Sequence, residues 1–294
     1  MSANLNESAL RKSLVYSSTA TVADLTADLN TIRTIDSEAE KNSSFWSLII
    51  GAAVVAIIVG IVCLAQEYVP AAIVIGGAGA LLLVVSVTKR SIHARMDLDN
   101  RRYELVAELL KYISRDMAPD ALVSVSINFQ PHNHRNKFER SGTVGHWNAK
   151  FYVDPWLTMS ARFLDGTKFS VTMIEKHQDR NRTKRSASGK TKYKYKTKSS
   201  SEAIVSLRIK PTRYPDVATL QETFDLRTMQ WPAGVAVKAF SADNESLSLR
   251  TTSALDWNVF PIHQRDDNHD AVKWIAMKLM CLYGLLNSAK AGKS

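Results

Sequence analysis

Apolar residues follow a different period in each successive stretch of the chain, and every change of period marks an element. Residues 1–20 are polar without a clear repeat, which predicts a disordered or loosely helical N-terminus. Val22, Leu25, Leu29, Ile32 and Ala39 then fall three and four apart, with Ile35 alongside and Asp36 as an interruption, and this predicts an amphipathic helix over 21–44. Polar positions next disappear. Residues 45–65 and 69–88 are runs of 21 and 20 residues without a charge, joined by Gln66, Glu67 and Tyr68. At about 1.5 Å per residue each run reaches roughly 30 Å, the depth of a hydrocarbon layer. A soluble helix of that length normally keeps a polar stripe. The pattern therefore predicts a two-pass helical hairpin, since helices satisfy their own backbone groups in lipid.

Beyond the second run, Ile92, Met96, Asp99, Tyr103, Val106, Leu110, Ile113 and Met117 keep an unbroken 4-3-4-3 spacing, with Asp99 the one discord. Leu98, Leu105, Leu109 and Tyr112 widen the face. The expectation is a stalk helix over 89–118, antiparallel to 21–44 and ended by Pro119. At residue 121 the period changes to two. Val123, Val125, Ile127 and Phe129 alternate with polar residues, a second strand lies around 147–153 and is broken by Pro155, and Leu157, Met159, Ala161 and Phe163 make a third. Asp165 and Gly166 form a two-residue hairpin turn. Phe169, Val171 and Met173 return from it; Val205, Leu207 and Ile209 follow, then a shorter pair over 235–240 and 246–251. Seven or eight strands with short connections predict a mainly antiparallel β domain over 119–294, a sandwich or a barrel. Residues 270–287 close it as a nearly all-round apolar helix carrying Lys273 and Lys278, expected to pack on the sheet.

Charge orients the hairpin. Lys41, Lys89, Arg90, Arg95, Arg101 and Arg102 flank the runs, whereas the joining turn holds only Glu67. Both termini are accordingly expected in the cytoplasm, at the plasma (inner) membrane. Neither run carries Asp, Glu, Lys, Arg or His, which argues against a pump, transporter or voltage sensor. Small residues at Ala52, Ala56 and Gly60, and at Ala72, Gly76 and Ala80, predict close helix packing within one hairpin or between copies in a homo-oligomer.

The formal charge of +10 is concentrated in one segment. Residues 175–198 hold ten basic side chains against two acids: Lys176, Arg180, Arg182, Lys184, Arg185, Lys190, Lys192, Lys194, Lys196 and Lys198. After a turn at 186–189 the sequence alternates strictly. A strand puts the four lysines from Lys192 to Lys198 on one face and Thr191, Tyr193, Tyr195 and Thr197 on the other. Three readings stay open for this long basic hairpin: a solvated arm that discourages edge pairing, attraction to anionic lipid headgroups, and binding of a polyanion such as RNA, DNA or a phosphorylated small molecule, with Tyr193 and Tyr195 available for stacking. Two cysteines, Cys63 and Cys281, give no disulfide framework. His132, His134 and His146 lack accompanying ligands, and no nucleotide-binding or hydrolase motif is present, so no metal, cofactor or enzymatic role is expected.

The layout of residues 45–88 and about 120–255 resembles a class of bacterial membrane effectors, in which a two-transmembrane hairpin precedes a cytoplasmic β-rich domain. The resemblance lies in arrangement, without a shared motif. It implies a domain that binds a nucleotide second messenger and couples binding to assembly of the hairpin and membrane damage. Set against this ligand-sensing reading is a structural one, in which the basic hairpin holds the domain to anionic lipid or to a partner without any switch.

Overall fold

Two uninterrupted apolar runs become two long helices. The computed structural model describes residues 5–186, 188–215, 217–220, 230–260 and 269–291. It divides into two units, residues 29–100 and the remainder of the chain. Helix α1 (Glu7–Ser13) opens the chain, α2 is Val22–Ala65 and α3 is Val69–Ala94. Both long helices are apolar enough to cross a membrane. Their most apolar windows are only 11% and 17% buried, with Leu48, Ile61, Ile73, Val74, Leu81 and Val84 all exposed. The helices of a soluble core would hide these side chains.

Within the unit of residues 29–100, α2 and α3 pack through their smallest residues. Within the two apolar runs, Ala53 and Gly60 of α2 and Ala72, Gly79 and Ser86 of α3 are the buried positions. A Cβ at Gly60 would stand 2.7 Å from the Cα of Gly76; one at Gly79 would stand 3.1 Å from the carbonyl of Ala53 and from the Cβ of Ala56. Of the expected packing residues, Ala56, Gly60, Ala72 and Gly76 thus lie at or beside the seam, whereas Ala52 and Ala80 are exposed. The contact repeats every seven residues. A four-residue stripe drifts about 40° round the helix at each step, so it leaves a seam that alternating steps of three and four hold. Replacing Gly60 by valine is expected to weaken the hairpin by about 1–3 kcal/mol through overpacking. Gly77→Val, at a position with nothing within 4 Å, is expected to stay within about 0.5 kcal/mol of the parent. Unfolding of the full chain in mixed detergent–SDS micelles measures both.

The expected unbroken stalk over 89–118 does not form. Helix α3 stops at Ala94, and α4 (Asn100–Ile113) starts afresh. The discord at Asp99 marks the break: aspartate is a favoured residue immediately before a helix. Asp36, the other interruption, is buried and accepts the Leu98 N–H at 2.7 Å, satisfying the chain where it turns. The 4-3-4-3 spacing runs across the break because the turn happens to preserve phase.

In the remaining unit the period-two segments become β1 (Val15–Ala20), β2 (Val123–Asn128), β3 (Phe138–Val144), β4 (Trp147–Arg162), β5 (Lys168–Arg185), β6 (Thr191–Arg208), β7 (Val235–Ala242) and β8 (Ser246–Ser253). All pairings are antiparallel, in the order β1-β2-β4-β5-β6-β8-β7, with β3 beside β4. This is one open sheet, which corrects the expectation of a sandwich or barrel. Two helices supply the second layer, so no second sheet is needed to bury the apolar face. Helix α4 brings Leu105, Val106, Leu109 and Leu110; α5 (Ala271–Ala291) brings Trp274, Ile275, Leu282 and Leu286. They cover Ile127, Leu157, Met159, Phe169, Val171, Met173, Val205 and Leu207. Trp274 Nε1 donates to Thr251 Oγ1 at 2.9 Å, and Lys278 is buried with its Nζ donating to the Ala203 carbonyl. Burial, with the charge of Arg250 adding to it, pushes Lys278 well below the usual lysine range.

Two further expectations change. Residues 15–20, expected to be disordered or loosely helical, are an edge strand: Tyr16 is buried and its hydroxyl donates to Asp28 at 2.8 Å, while residues 1–4 lie outside the described residues. Pro155 does not end a strand either. A bulge between Pro155 and Leu157 absorbs the missing donor and lets β4 run on for 16 residues.

Candidate anion-binding face on a β-arm

Strands β5 and β6 are 18 residues each, and the helices cover only part of them. Buried positions stop at Glu175 on β5 and begin at Ser201 on β6. Beyond that line β3, β4, β5 and β6 continue as an arm. The basic hairpin expected over 175–198 is the outer part of this arm; its turn is closed by the Ser186 N–H on the Lys190 carbonyl at 2.8 Å, while Ala187 lies outside the described residues.

A buried ionic network fastens the arm at its root. Arg102, on α4, places Nη2 2.9 Å from Asp154 Oδ2 on β4 and 2.9 Å from Glu175 Oε2 on β5, and Nη1 donates to the Asn128 carbonyl. Lys137 Nζ meets Asp154 Oδ1 at 2.8 Å and donates to the Gln130 carbonyl. Trp257 Nε1 donates to Glu175 Oε1 at 3.0 Å. The rings of Trp156 and Trp257 stack 5.2 Å apart at 9°, with Arg102 over the first and Arg101 over the second. Burial alone would raise the Glu175 pKa, but the hydrogen bond from His177 and the Arg102 and His177 charges hold it at about 2. Burial also lowers the Lys137 pKa, against the opposing pull of Asp154. On the same side, His132 stacks on His177 with centroids 4.4 Å apart and lies 3.1 Å from Asp179. Opposite charges meet, so this network is structural.

The other side of the arm is different. The β5–β6 register pairs Lys184 with Lys192, Arg182 with Lys194, Arg180 with Lys196, Gln178 with Lys198 and Lys176 with Ser200. Directly paired residues share a face, so eight of the ten expected cations stand together, on the side away from the helices. Lys190 lies at the turn, and Arg185 pairs with Thr191 on the opposite face. Tyr193 and Tyr195 also take that opposite face, both more than two-thirds exposed. Lys176 is the inner boundary: its Nζ meets Glu202 Oε1 at 2.7 Å, and Lys238 and Arg250 converge on the same carboxylate. The hydrogen bond with Glu202 raises Lys176; burial opposes but does not prevent the lowering of Glu202 by Lys176 and Lys238. Further out, among the described residues, no carboxylate forms an ion pair with Arg180, Arg182, Lys184, Lys192, Lys194, Lys196 or Lys198. Three of the cross-strand pairs are like-charged, an arrangement that costs stability.

Aromatic residues that sequence reading did not assign to the site share this face. Phe151 pairs with Gln178, and Arg140 of β3 lies over its ring at 3.8 Å. Arg182 lies over Trp147 at 4.8 Å. A depression of about 400 Å³ opens here, with Arg140, Phe151, Lys176, Gln178 and Lys198 in its lining and Glu139 as its acidic member. The period-two run over 147–153 carried the signal: it puts Trp147, Ala149, Phe151 and Val153 on one side, and only the β4–β5 register shows that this is the cationic side. Compared with known protein families, with curated protein sequences and with solved structures, the chain matches none.

Proposed function

We propose that this chain is a two-pass membrane protein, with both termini in the cytoplasm, that captures a phosphate-bearing polyanion on the cationic face of its β-arm. One observation carries the reading: the strand register gathers uncompensated cations on a single open face and opposes like charges there. A face built this way is relieved by an anion whose charges repeat along it. Alternate strand residues are about 7 Å apart, so the β6 lysines form a ladder of evenly spaced charges. The depression beside them is open to solvent, which favours an extended ligand over a single nucleotide. A polymer long enough to meet several arms gathers several chains, and in that way ligand state would control assembly of the hairpins. The turn at 186–190 holds no large apolar residue, so any attraction to lipid would rest on charge alone.

The test uses the full chain in nanodiscs of zwitterionic lipid. Fluorescent inorganic polyphosphate is expected to bind, with affinity falling linearly on a log–log scale by about 0.7–0.9 per phosphate neutralised as salt rises. Absence of binding at low salt overturns the reading. Capture of anionic vesicles without any binding of polyphosphate transfers the role to lipid.

A further inference from the structure

We infer that the polyanion is a single-stranded nucleic acid, its bases stacked on Trp147 and Phe151 and its phosphates on the β6 lysines; this rests on the cationic-face reading. The two kinds of group are separated across the sheet in the way a nucleotide separates them. In one row Arg140, Phe151, Gln178 and Lys198 follow one another over β3, β4, β5 and β6. In another, Arg182 lies over Trp147 and pairs with Lys194. Each aromatic on β4 thus faces a lysine two strands away, about 10 Å across the sheet. A strand running along the arm sets bases over β4 and phosphates over β6. Between the two rows stand Ala149, Arg180 and Lys196, where the small Ala149 leaves the face low.

The rings have no part in the core. Trp156, Trp257 and Trp274 are all buried, but Trp147 and Phe151 are only half-buried and are covered by arginine side chains. Guanidinium planes stack on bases as readily as on rings. Arg182 Nε is shielded from solvent and meets no acceptor among the described residues. Tyr193 and Tyr195, the residues whose alternation with lysine first suggested stacking, cannot serve the same strand because they occupy the other face. Duplex nucleic acid hides its bases and polyphosphate has none, so neither can use the rings.

The experiment compares a short oligouridylate with inorganic polyphosphate of matched charge on the full chain in zwitterionic nanodiscs, read by fluorescence anisotropy. Trp147→Ala and Phe151→Ala are each expected to weaken oligouridylate by about five-fold or more while leaving polyphosphate unchanged. Trp147→Phe, which keeps a ring, is expected to retain most of the affinity. Unchanged oligouridylate binding in both alanine variants overturns the stacking inference and leaves the cationic-face reading standing. Equal weakening of both ligands that Trp147→Phe does not restore overturns it as well. Failure of the parent chain to bind either ligand ends both readings.

Discussion

Replacing Arg102 by methionine is expected to destabilise the β-domain by about 3–5 kcal/mol, the cost of leaving buried charges without their partner. The side chain is almost fully enclosed, and one guanidinium nitrogen serves both Asp154 and Glu175 at 2.9 Å. Methionine fills much of the same volume, so lost packing contributes little. What remains is two carboxylates with Lys137, His177 and the Trp257 N–H as partners. Urea unfolding of the full chain in detergent, followed by the fluorescence of the stacked Trp156 and Trp257, measures the loss. A change below about 1 kcal/mol would show that the pair with Arg102 is energetically idle. The pH profile supplies an independent check. Glu175 ionises at about 2 in the folded chain against an ordinary value of 4.5. A carboxyl whose folded pKa is depressed contributes stability that is present above its unfolded pKa and lost as pH falls through the folded one. The parent should therefore lose about 3 kcal/mol between pH 4.5 and 2 through this group. In Arg102→Met the carboxyl loses its main charge partner, its pKa rises, and the acid-side loss shrinks.

The same residue shows where sequence reading stops. Arg102 counts, on position alone, among the basic residues that flank an apolar run, yet its charge is spent inside the protein on two strands 52 and 73 residues away. Nothing local distinguishes it from Arg101 or Arg95. The features that were legible are those with a local cause: apolar runs long enough for helices, period-two strands, a turn around Asp165 and Gly166, and the alternation that segregates Lys192, Lys194, Lys196 and Lys198. That turn closes as three residues between Phe163 and Thr167, with Gly166 but not Asp165 at positive φ, instead of the expected two. Long-range pairing was not legible. Residues 15–20 become β1 only because β2, more than a hundred residues later, offers an edge in register from Val15–Asn128 to Ala20–Val123. Alternation within β6 separates lysine from tyrosine but is silent on which strand comes next. The partnership of Trp147 and Phe151 with the cations needed the β4–β5 register. At 89–118 the periodicity was real but its interpretation wrong, because a seven-residue phase can persist through a turn, and Asp99 was the only sign of it.

Neutralising Lys192, Lys194, Lys196 and Lys198 to glutamine is expected to remove most polyanion binding while leaving the fold intact or slightly firmer. The two effects have one origin. Lys192, Lys194 and Lys196 stand directly opposite Lys184, Arg182 and Arg180. Like charges so placed oppose strand pairing by about 0.2–1 kcal/mol each, so their removal relieves the arm by about 1 kcal/mol in sum. Glutamine keeps the chain length and the hydrogen-bonding ends, and the β5–β6 ladder of backbone bonds does not depend on the ammonium groups. Binding loses what folding gains. With a single-stranded ligand each lost phosphate contact takes about 0.7 from the log–log salt slope, so four lysines account for a decrease of about 3. At low salt, affinity should fall by about a hundredfold or more. Anisotropy titrations across a salt series, paired with unfolding curves of the same preparations, give both numbers. A variant that is destabilised and binds poorly would point to a damaged arm. One that binds with the parent's slope would mean the lysines are merely solvated, and that the repulsion across β5 and β6 serves to keep the arm from pairing with other strands. Firmer folding with lost binding is the outcome that a site held open against its own charge predicts.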